Sequence, residues 1–482
     1  MTPKKVLFIA SEATPLIKVG GLADVVGALP GALTTLGLET KVCIPKYRTM
    51  DLQKLPTSQV IGNFEVPWQG RVITVQLIEA ILPGTATPLY LLDAPEFFSD
   101  GGVYYEHDQE NGVRLAMKRF TFFSWAMAKI IPQLPWQPDV VHCHDWHTAS
   151  IPAWLHITDK QPRHTVVTIH NIEGQGKWKA EDVFSWLSID PKVIPALAWR
   201  DQGDNLNLLQ LGIRNASVVN TVSPTYAHEI LTSTYGQGLE KDLGERPGGV
   251  TGIVNGIDTA VFNPAADAGI FARYDESTAD VGKLANKRAL LAELGLTPGN
   301  GPLFVAVGRF TSQKGVDLIP NSIADIVQAD GRVVLLGSGV PKVEQAIADA
   351  MKPFPTTCQV LVKFDAKLAQ RMYAAADFFL MPSKFEPCGL GQLIAMRYGA
   401  IPIVRDTGGL HDTVRDCMKY SDGTGLVFVE PTAGALLAKI HDALRIFNQP
   451  DTMKEVRHRA MSQDFSWSRS AKDYLTLYAH AN

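Results

Sequence analysis

Cysteine is scarce in this 482-residue chain, and no apolar run is long. The five cysteines, Cys43, Cys143, Cys358, Cys388 and Cys417, are odd in number and scattered. That pattern fits reduced thiols in a cytosol better than a disulfide framework. No apolar stretch approaches the ~18 residues that a spanning helix needs, so no membrane partner is expected. At the N-terminus two lysines precede "VLFIA", but that run is shorter than a signal-peptide core and reads as a first strand. The net charge is −4, too small in either direction to suggest a nucleic-acid or anionic-membrane partner. Low-complexity segments and short-period repeats are absent as well.

What remains is an ordinary globular composition, 46% hydrophobic and 20% charged, in a chain too long for one core. Almost wholly apolar strands are expected at "KVLFIA", "TKVCIP", "TPLYLLD", "PDVVHCHD", "HTVVTIHN" and "ASVVNTVS". They restart at "GPLFVAVGRF", "RVVLLGSG", "CQVLVKFD", "ADFFLMPS" and "AIPIVRD". Helical patterns intervene, which predicts an α/β protein with two parallel sheets, each covered on both faces. The Gly-, Pro- and Asp-rich stretch "GIDTAVFNPAADAG" marks the link between halves. Two doubly wound sheets facing one another would leave a central cleft lined by residues just beyond the strands. The segment "GGLxDxV" occurs once in each half and reads as one turn chemistry used twice, since the two copies do not follow equivalent strands.

Lys18, Gly20 and Gly21 follow the first strand, where a helical pattern begins. Paired glycines let a ligand approach the backbone, and a helix N-terminus with a lysine beside it suits phosphate. A tight turn with a solvated lysine fits the same residues. Arg309 and Lys314 follow the first strand of the second half; they suit a diphosphate, or are two solvated charges on a loop. Glu386 lies in a strand-to-helix loop, either as an acceptor for sugar hydroxyls or as a helix-capping acid. "HCHDWH" packs three histidines, a cysteine and an aspartate into six residues. Alternation puts His142 and His144 on one strand face, and the spacing matches no usual zinc pattern. A strand end that delivers Asp145, Trp146 and His147 into the cleft is favoured over a metal site. "TIHN" delivers His170 and Asn171 in the same way.

Together "KVGGLADVVGALP", "HDWHTA", "TIHN", "TVSPTYAHEI", "GIVNGID", "GRFTSQKG", "FEPCGLGQL", "AMRYG" and "TGGL" resemble, in this order, the bacterial glycogen synthases and plant starch synthases. The resemblance runs from about Lys5 to the C-terminus. It implies the GT-B fold of retaining glycosyltransferases: a Rossmann-like acceptor-side domain over 1–258, a donor-side domain over 259–460, and a helix over 461–482 crossing back to the first. It implies transfer of glucose from ADP-glucose to the non-reducing end of an α-1,4-glucan, without cofactor or metal. As catalytic residues it implies Lys18, Asp145, His170, Arg309, Lys314 and Glu386. For the donor it adds Gly20, Gly21, Asn255, Cys388, Gly389, Leu390, Thr407 and Gly408, and for the acceptor Asp24, Trp146 and Asn171. A glucan and a nucleotide sugar are the expected partners, in a bacterial cytoplasm or a plastid stroma.

The sequence departs from the family pattern at Gly174, where an aromatic is usual, and at Gly391, where Thr or Ser is usual. "NLLQLGI" and "GRF" also differ from the common forms. Ile394 stands where a related family carries a second glutamate, which favours the glycogen and starch synthase branch. Alternatives are the same fold with UDP-glucose, a catalytically weakened glucan-binding relative, and a pyridoxal-phosphate-dependent glucan phosphorylase, whose chains are far longer.

Overall fold

The computed structural model describes residues 4–55, 58–99, 102–104, 110–159, 161–190 and 204–479. The chain divides into two compact units: residues 1–256 with 467–482, and residues 257–466. Residues 461–466, expected to belong with the C-terminal helix, fall in the second unit.

Among its described residues the first unit contains β1 (Lys5–Ile9), β2 (Glu39–Pro45), β3 (Gln59–Trp68), β4 (Arg71–Ile81), β5 (Pro88–Asp93), β6 (Val140–His144), β7 (His164–Ile169), β8 (Lys177–Lys179), β9 (Asn205–Asn207), β10 (Val218–Thr221) and β11 (Val250–Gly252). Nine of these make one sheet in the order β11-β10-β7-β6-β1-β2-β5-β4-β3, and β8 pairs separately with β9. The sheet is parallel except where β4 pairs antiparallel with β3 and β5. The β3–β4 hairpin escapes the sequence reading because its strands mix exposed and buried positions, whereas β1 and β6 are almost entirely buried. Both faces of these inner strands are covered, so β1 is continuously apolar after Lys5 rather than alternating, and β6 departs from this only at the buried His142 and His144.

The helix Gly21–Thr35 follows β1 and buries Leu22, Val25, Val26, Leu29 and Leu33, the i, i+3/i+4 spacing of one apolar face. The C-terminal helix Trp467–Ala479 packs against it and buries Trp467, Ala471, Tyr474, Leu477 and Tyr478. Among the described residues no helix is long and apolar enough to cross a membrane.

The second unit holds β12 (Leu303–Val307), β13 (Arg332–Gly337), β14 (Cys358–Val362), β15 (Phe378–Met381), β16 (Ile401–Arg405) and β17 (Leu426–Phe428). They form one sheet, β14-β13-β12-β15-β16-β17, and every pairing is parallel. Leu303 and Val305 point into one hydrophobic cluster, Phe304 and Ala306 into another. This period-two division shows directly that both faces are buried. The order is that of a dinucleotide-binding doubly wound sheet. The two GGLxDxV copies follow β1 and β16. The former is the central first strand of its sheet and the latter is not, so the shared motif is local turn chemistry at two helix starts.

Candidate active site

In a doubly wound sheet, ligands bind beyond the strand ends where the strand order reverses, because the connecting helices leave the two faces there and open a crevice. In the second unit this point lies between the neighbouring strands β12 and β15. Arg309 and Lys314 are in the loop after β12, and Glu386 is in the loop after β15. The two loops touch. Gly315 sits at φ 64°, and a Cβ there would lie 1.9 Å from the carbonyl oxygen of Pro382, so only glycine permits the approach. Lys314 Nζ then reaches both carboxylate oxygens of Glu386, at 2.8 and 2.6 Å. The Ser383 hydroxyl donates to the same carboxylate at 2.9 Å, and Glu386 is only 4% exposed. Arg309 is exposed, and its guanidinium donates to Gln313 Oε1 at 3.2 Å.

The strand end of β16 joins them. Gly408 has φ 43°, and its backbone crosses so close to Glu386 that a Cβ would meet the Glu386 carbonyl oxygen at 2.0 Å. The next amide, Gly409 N–H, donates to the carbonyls of Glu386 and Pro387 at 3.1 Å each. Thr407 is buried and precedes the short helix Gly408–Thr413. Cys388 and Gly389 are held through their carbonyls, which accept from the Gln392 amide at 3.0 Å each. Leu390 is half-buried before the helix Gly391–Arg397. A Cβ on Gly391 would come within 3.0 Å of the Phe379 ring, so the phenyl group fills the space a larger residue at 391 would need.

The order of the first sheet reverses at β1 and β6, and again the expected residues follow those strands. Lys18 pairs with Asp24 at 2.7 Å, with side chains 43% and 24% exposed. A pair this open contributes about 0.2–1 kcal/mol, so Lys18 can leave Asp24 for a ligand phosphate at little cost. Gly20 is the extended N-cap of the helix Gly21–Thr35, with no side-chain cap of its own. Glu12, which the sequence reading missed, instead fixes the two residues that lead into the helix. Its buried carboxylate accepts from the Val19 amide and, at 3.2 Å, from the Gly20 amide. Burial pushes Glu12 up to about 7 against the opposing pull of those amides. An acid directly after an apolar strand, in an otherwise uncharged stretch, was the available signal. Ser383 gave none.

Asp145 ends β6 at φ 55°, ψ −179°, a conformation nearly confined to glycine and costing on the order of 1–3 kcal/mol. The strained turn aims its carboxylate at the end of β7, where Oδ1 accepts from the His170 amide at 2.7 Å and the Asn171 amide at 3.3 Å. Burial raises Asp145 to about 7, opposed by those two amides. The folded chain therefore holds this proton more tightly than the unfolded chain, where the group titrates near 3.8. Its contribution to stability is complete below the unfolded value and is lost as pH rises through about 7. Asp145→Asn should consequently lose less stability than the wild type between pH ~5 and ~8. Urea denaturation at the two pH values checks this, and parallel losses would contradict it.

His170 donates its amide to Asp145, and its Nε2 lies 2.9 Å from His144 Nδ1. Burial pushes His170 down to about 3. His142 bonds Tyr478 through Nδ1 at 2.9 Å and Thr168 through Nε2 at 2.6 Å. Both its ring nitrogens are thus engaged. Among the described residues no group of three or more His, Cys, Asp or Glu is placed to hold a metal ion. Trp146 is only 7% exposed. Its indole lies across Gly174 and Gly176, whose added Cβ atoms would sit 3.0 and 2.4 Å from the ring. Trp146 therefore offers little surface to a ligand, and the small residue at 174 matches the indole above it. Asn255 is 5% exposed, and its Oδ1 has no hydrogen-bond partner among the described residues.

Residues 5–245 match the starch synthase catalytic domain family, and residues 292–459 match the glycosyl transferases group 1 family. The glycogen synthase of Exiguobacterium sibiricum is 39% identical, with 98% of each chain covered. That of Rhodospirillum rubrum is 39% identical with the same coverage. Among solved structures, the catalytic domain of starch synthase IV from Arabidopsis thaliana, bound to ADP and acarbose, superposes with a TM-score of 0.89 at 32% identity, covering 100% of this chain and 99% of that one. Sucrose-phosphate synthase from Thermosynechococcus elongatus, at 19% identity and a TM-score of 0.61, with 99% and 98% of the two chains covered, shares the fold. With full-length relatives at this identity and both halves matched, the chain belongs to the glycogen synthase and starch synthase family of glycosyltransferases.

Proposed function

We propose that this protein transfers glucose from ADP-glucose to the non-reducing end of an α-1,4-glucan with retention of configuration. The observation that carries the reading is the Lys314–Glu386 contact, with Arg309 in the same loop as Lys314, at the reversal point of the β14-β13-β12-β15-β16-β17 sheet. The starch synthase IV structure binds ADP and acarbose, which supports an adenine nucleotide and a glucan-like oligosaccharide as ligands here.

In this reading Arg309 and Lys314 hold the diphosphate, and Lys18 adds a further charge. As the sugar–phosphate bond breaks, negative charge grows on the leaving diphosphate. Cations held near that charge stabilise the transition state; Lys18 and Lys314 turn to it from their contacts with Asp24 and Glu386. Glu386 accepts hydrogen bonds from glucosyl hydroxyls. The backbone groups of Cys388, Gly389, Leu390, Thr407 and Gly408 line the donor, as do Gly20, Gly21 and Asn255. His170 contacts the transferred sugar. Asp145 shapes the end of β7 through two amide bonds, so one of its oxygens is committed to structure rather than to attack on the sugar. Asp24, Trp146 and Asn171 belong to the acceptor side, with Trp146 acting as a support packed against Gly174 and Gly176.

Incorporation of labelled glucose into glycogen, followed by NMR of the new linkage, tests the reading. An α-1,4 linkage formed from the α-linked donor supports it. No incorporation by folded protein, or a β linkage, would overturn it.

The three cations also take the charge-neutralising role that magnesium has in many nucleotide enzymes. Turnover should therefore persist in excess EDTA. Activity abolished by the chelator and restored by Mg²⁺ or Mn²⁺ would contradict this.

A further inference from the structure

We propose that His144 is a positioning residue that holds His170 as its Nδ1–H tautomer. His170 then presents a hydrogen-bond donor, not a lone pair, at the end of β7.

Two directions are possible for the 2.9 Å contact between His144 Nδ1 and His170 Nε2. If His170 Nε2–H donates, His144 must carry its own proton on Nε2. That atom is fully buried and has no partner among the described residues. The Phe8 ring lies nearly parallel to the His144 ring, 15° off, at a centroid distance of 5.7 Å, and accepts no conventional hydrogen bond. An orphaned buried N–H is costlier than a bare acceptor nitrogen. The other direction removes the problem: His144 Nδ1–H donates to His170 Nε2, the His144 Nε2 lone pair is left bare, and the His170 proton sits on Nδ1. In histidine, the bond made at one ring nitrogen fixes the state of the other. Burial holds both rings well below the usual imidazole range, so both are neutral.

The surroundings hold His144 in place. Its backbone N–H donates to Thr148 Oγ1 at 2.7 Å, and its ring packs on His142 at a centroid distance of 4.3 Å. The hydrogen bonds of His142 have a definite direction. Thr168 Oγ1 donates to Asn220 Oδ1 at 2.7 Å, so it accepts from His142 Nε2–H, and His142 Nδ1 accepts from the Tyr478 hydroxyl. The C-terminal helix is thereby tied to β6, which carries His144, and to β7, which His170 follows. A hydroxyl oxygen of the sugar meeting His170 would accept from Nδ1–H. That consequence rests on the proposed contact of His170 with the transferred glucose, but the tautomer does not.

Long-range ¹H–¹⁵N correlation on the full chain labelled at histidine reads the tautomers directly, with assignment by His144→Gln and His170→Gln. We expect neutral rings with His170 and His144 both protonated at Nδ1. Protonation of His170 at Nε2 would overturn the proposal. In His144→Phe, kcat should fall about 10-fold with the donor KM nearly unchanged, as expected for misoriented rather than lost contacts. His144→Gln, whose amide can donate in place of the ring, should recover most of it. Wild-type kcat in His144→Phe would also overturn the positioning role. If that variant does not fold, the tautomers of the wild type still decide. Wild-type turnover by His170→Ala, with the tautomers as expected, would instead remove His170 from the sugar site and leave the tautomer assignment standing.

Discussion

Arg309→Ala is expected to lower kcat by about 10²–10³-fold, or roughly 2.7–4 kcal/mol of transition-state stabilisation, while leaving the fold intact. The size follows from removing one preorganised charge from a leaving group whose own charge is growing. The intact fold follows from Arg309 being exposed and making its bond to Gln313, not to the core. Lys18→Ala should behave alike, since its pairing with Asp24 is open to solvent. Steady-state kinetics with denaturation midpoints separates the two effects. Wild-type turnover in either variant would remove that residue from the catalytic set. A loss matched by an equal loss of stability would make its role structural.

The Lys314–Glu386 pair should show a different signature, because the two act as one unit. Their side chains are 23% and 5% exposed. Lys314→Met leaves a nearly buried carboxylate with the Ser383 hydroxyl and without its cation, and breaking a buried pair from one side costs on the order of 3–5 kcal/mol. Lys314→Met with Glu386→Gln should be more stable than Lys314→Met alone, since the uncompensated charge is gone. In activity, each single change should cost about 10²-fold or more, and the double change little more than the worse single one. A four-variant cycle in kcat and in urea stability measures both. Strict additivity in both would contradict the pairing.

The parts of this molecule legible in the sequence are those whose physics is local. The strands "KVLFIA" and "GPLFVAVGRF" announce themselves because both faces are buried. Lys18, Asp145, Arg309 and Glu386 could be singled out because each comes just after such a strand, where doubly wound sheets bind ligands. What stayed hidden depends on chain segments far apart. The ion pair of Lys314 with Glu386 joins two loops 72 residues apart, and the glycines at 315 and 408 that let the loops touch look like any turn glycine. Glu12 and Ser383 act on backbone and carboxylate groups that no spacing rule singles out. Alternation along "HCHDWH" puts His142 and His144 on one strand face, where their rings pack together. Their partners Thr168, His170 and Tyr478 come from β7 and the C-terminal helix and needed the fold.

Glucose transfer from an adenine nucleotide sugar to an α-1,4-glucan releases ADP. A donor panel reads that release: the purified full chain with glycogen, given ADP-glucose or UDP-glucose in turn, with the freed nucleotide measured. Glycogen-dependent release of ADP from ADP-glucose is expected, well above any release of UDP, together with its loss in Arg309→Ala. Release of UDP alone, or no nucleotide from either donor by folded protein, would contradict it.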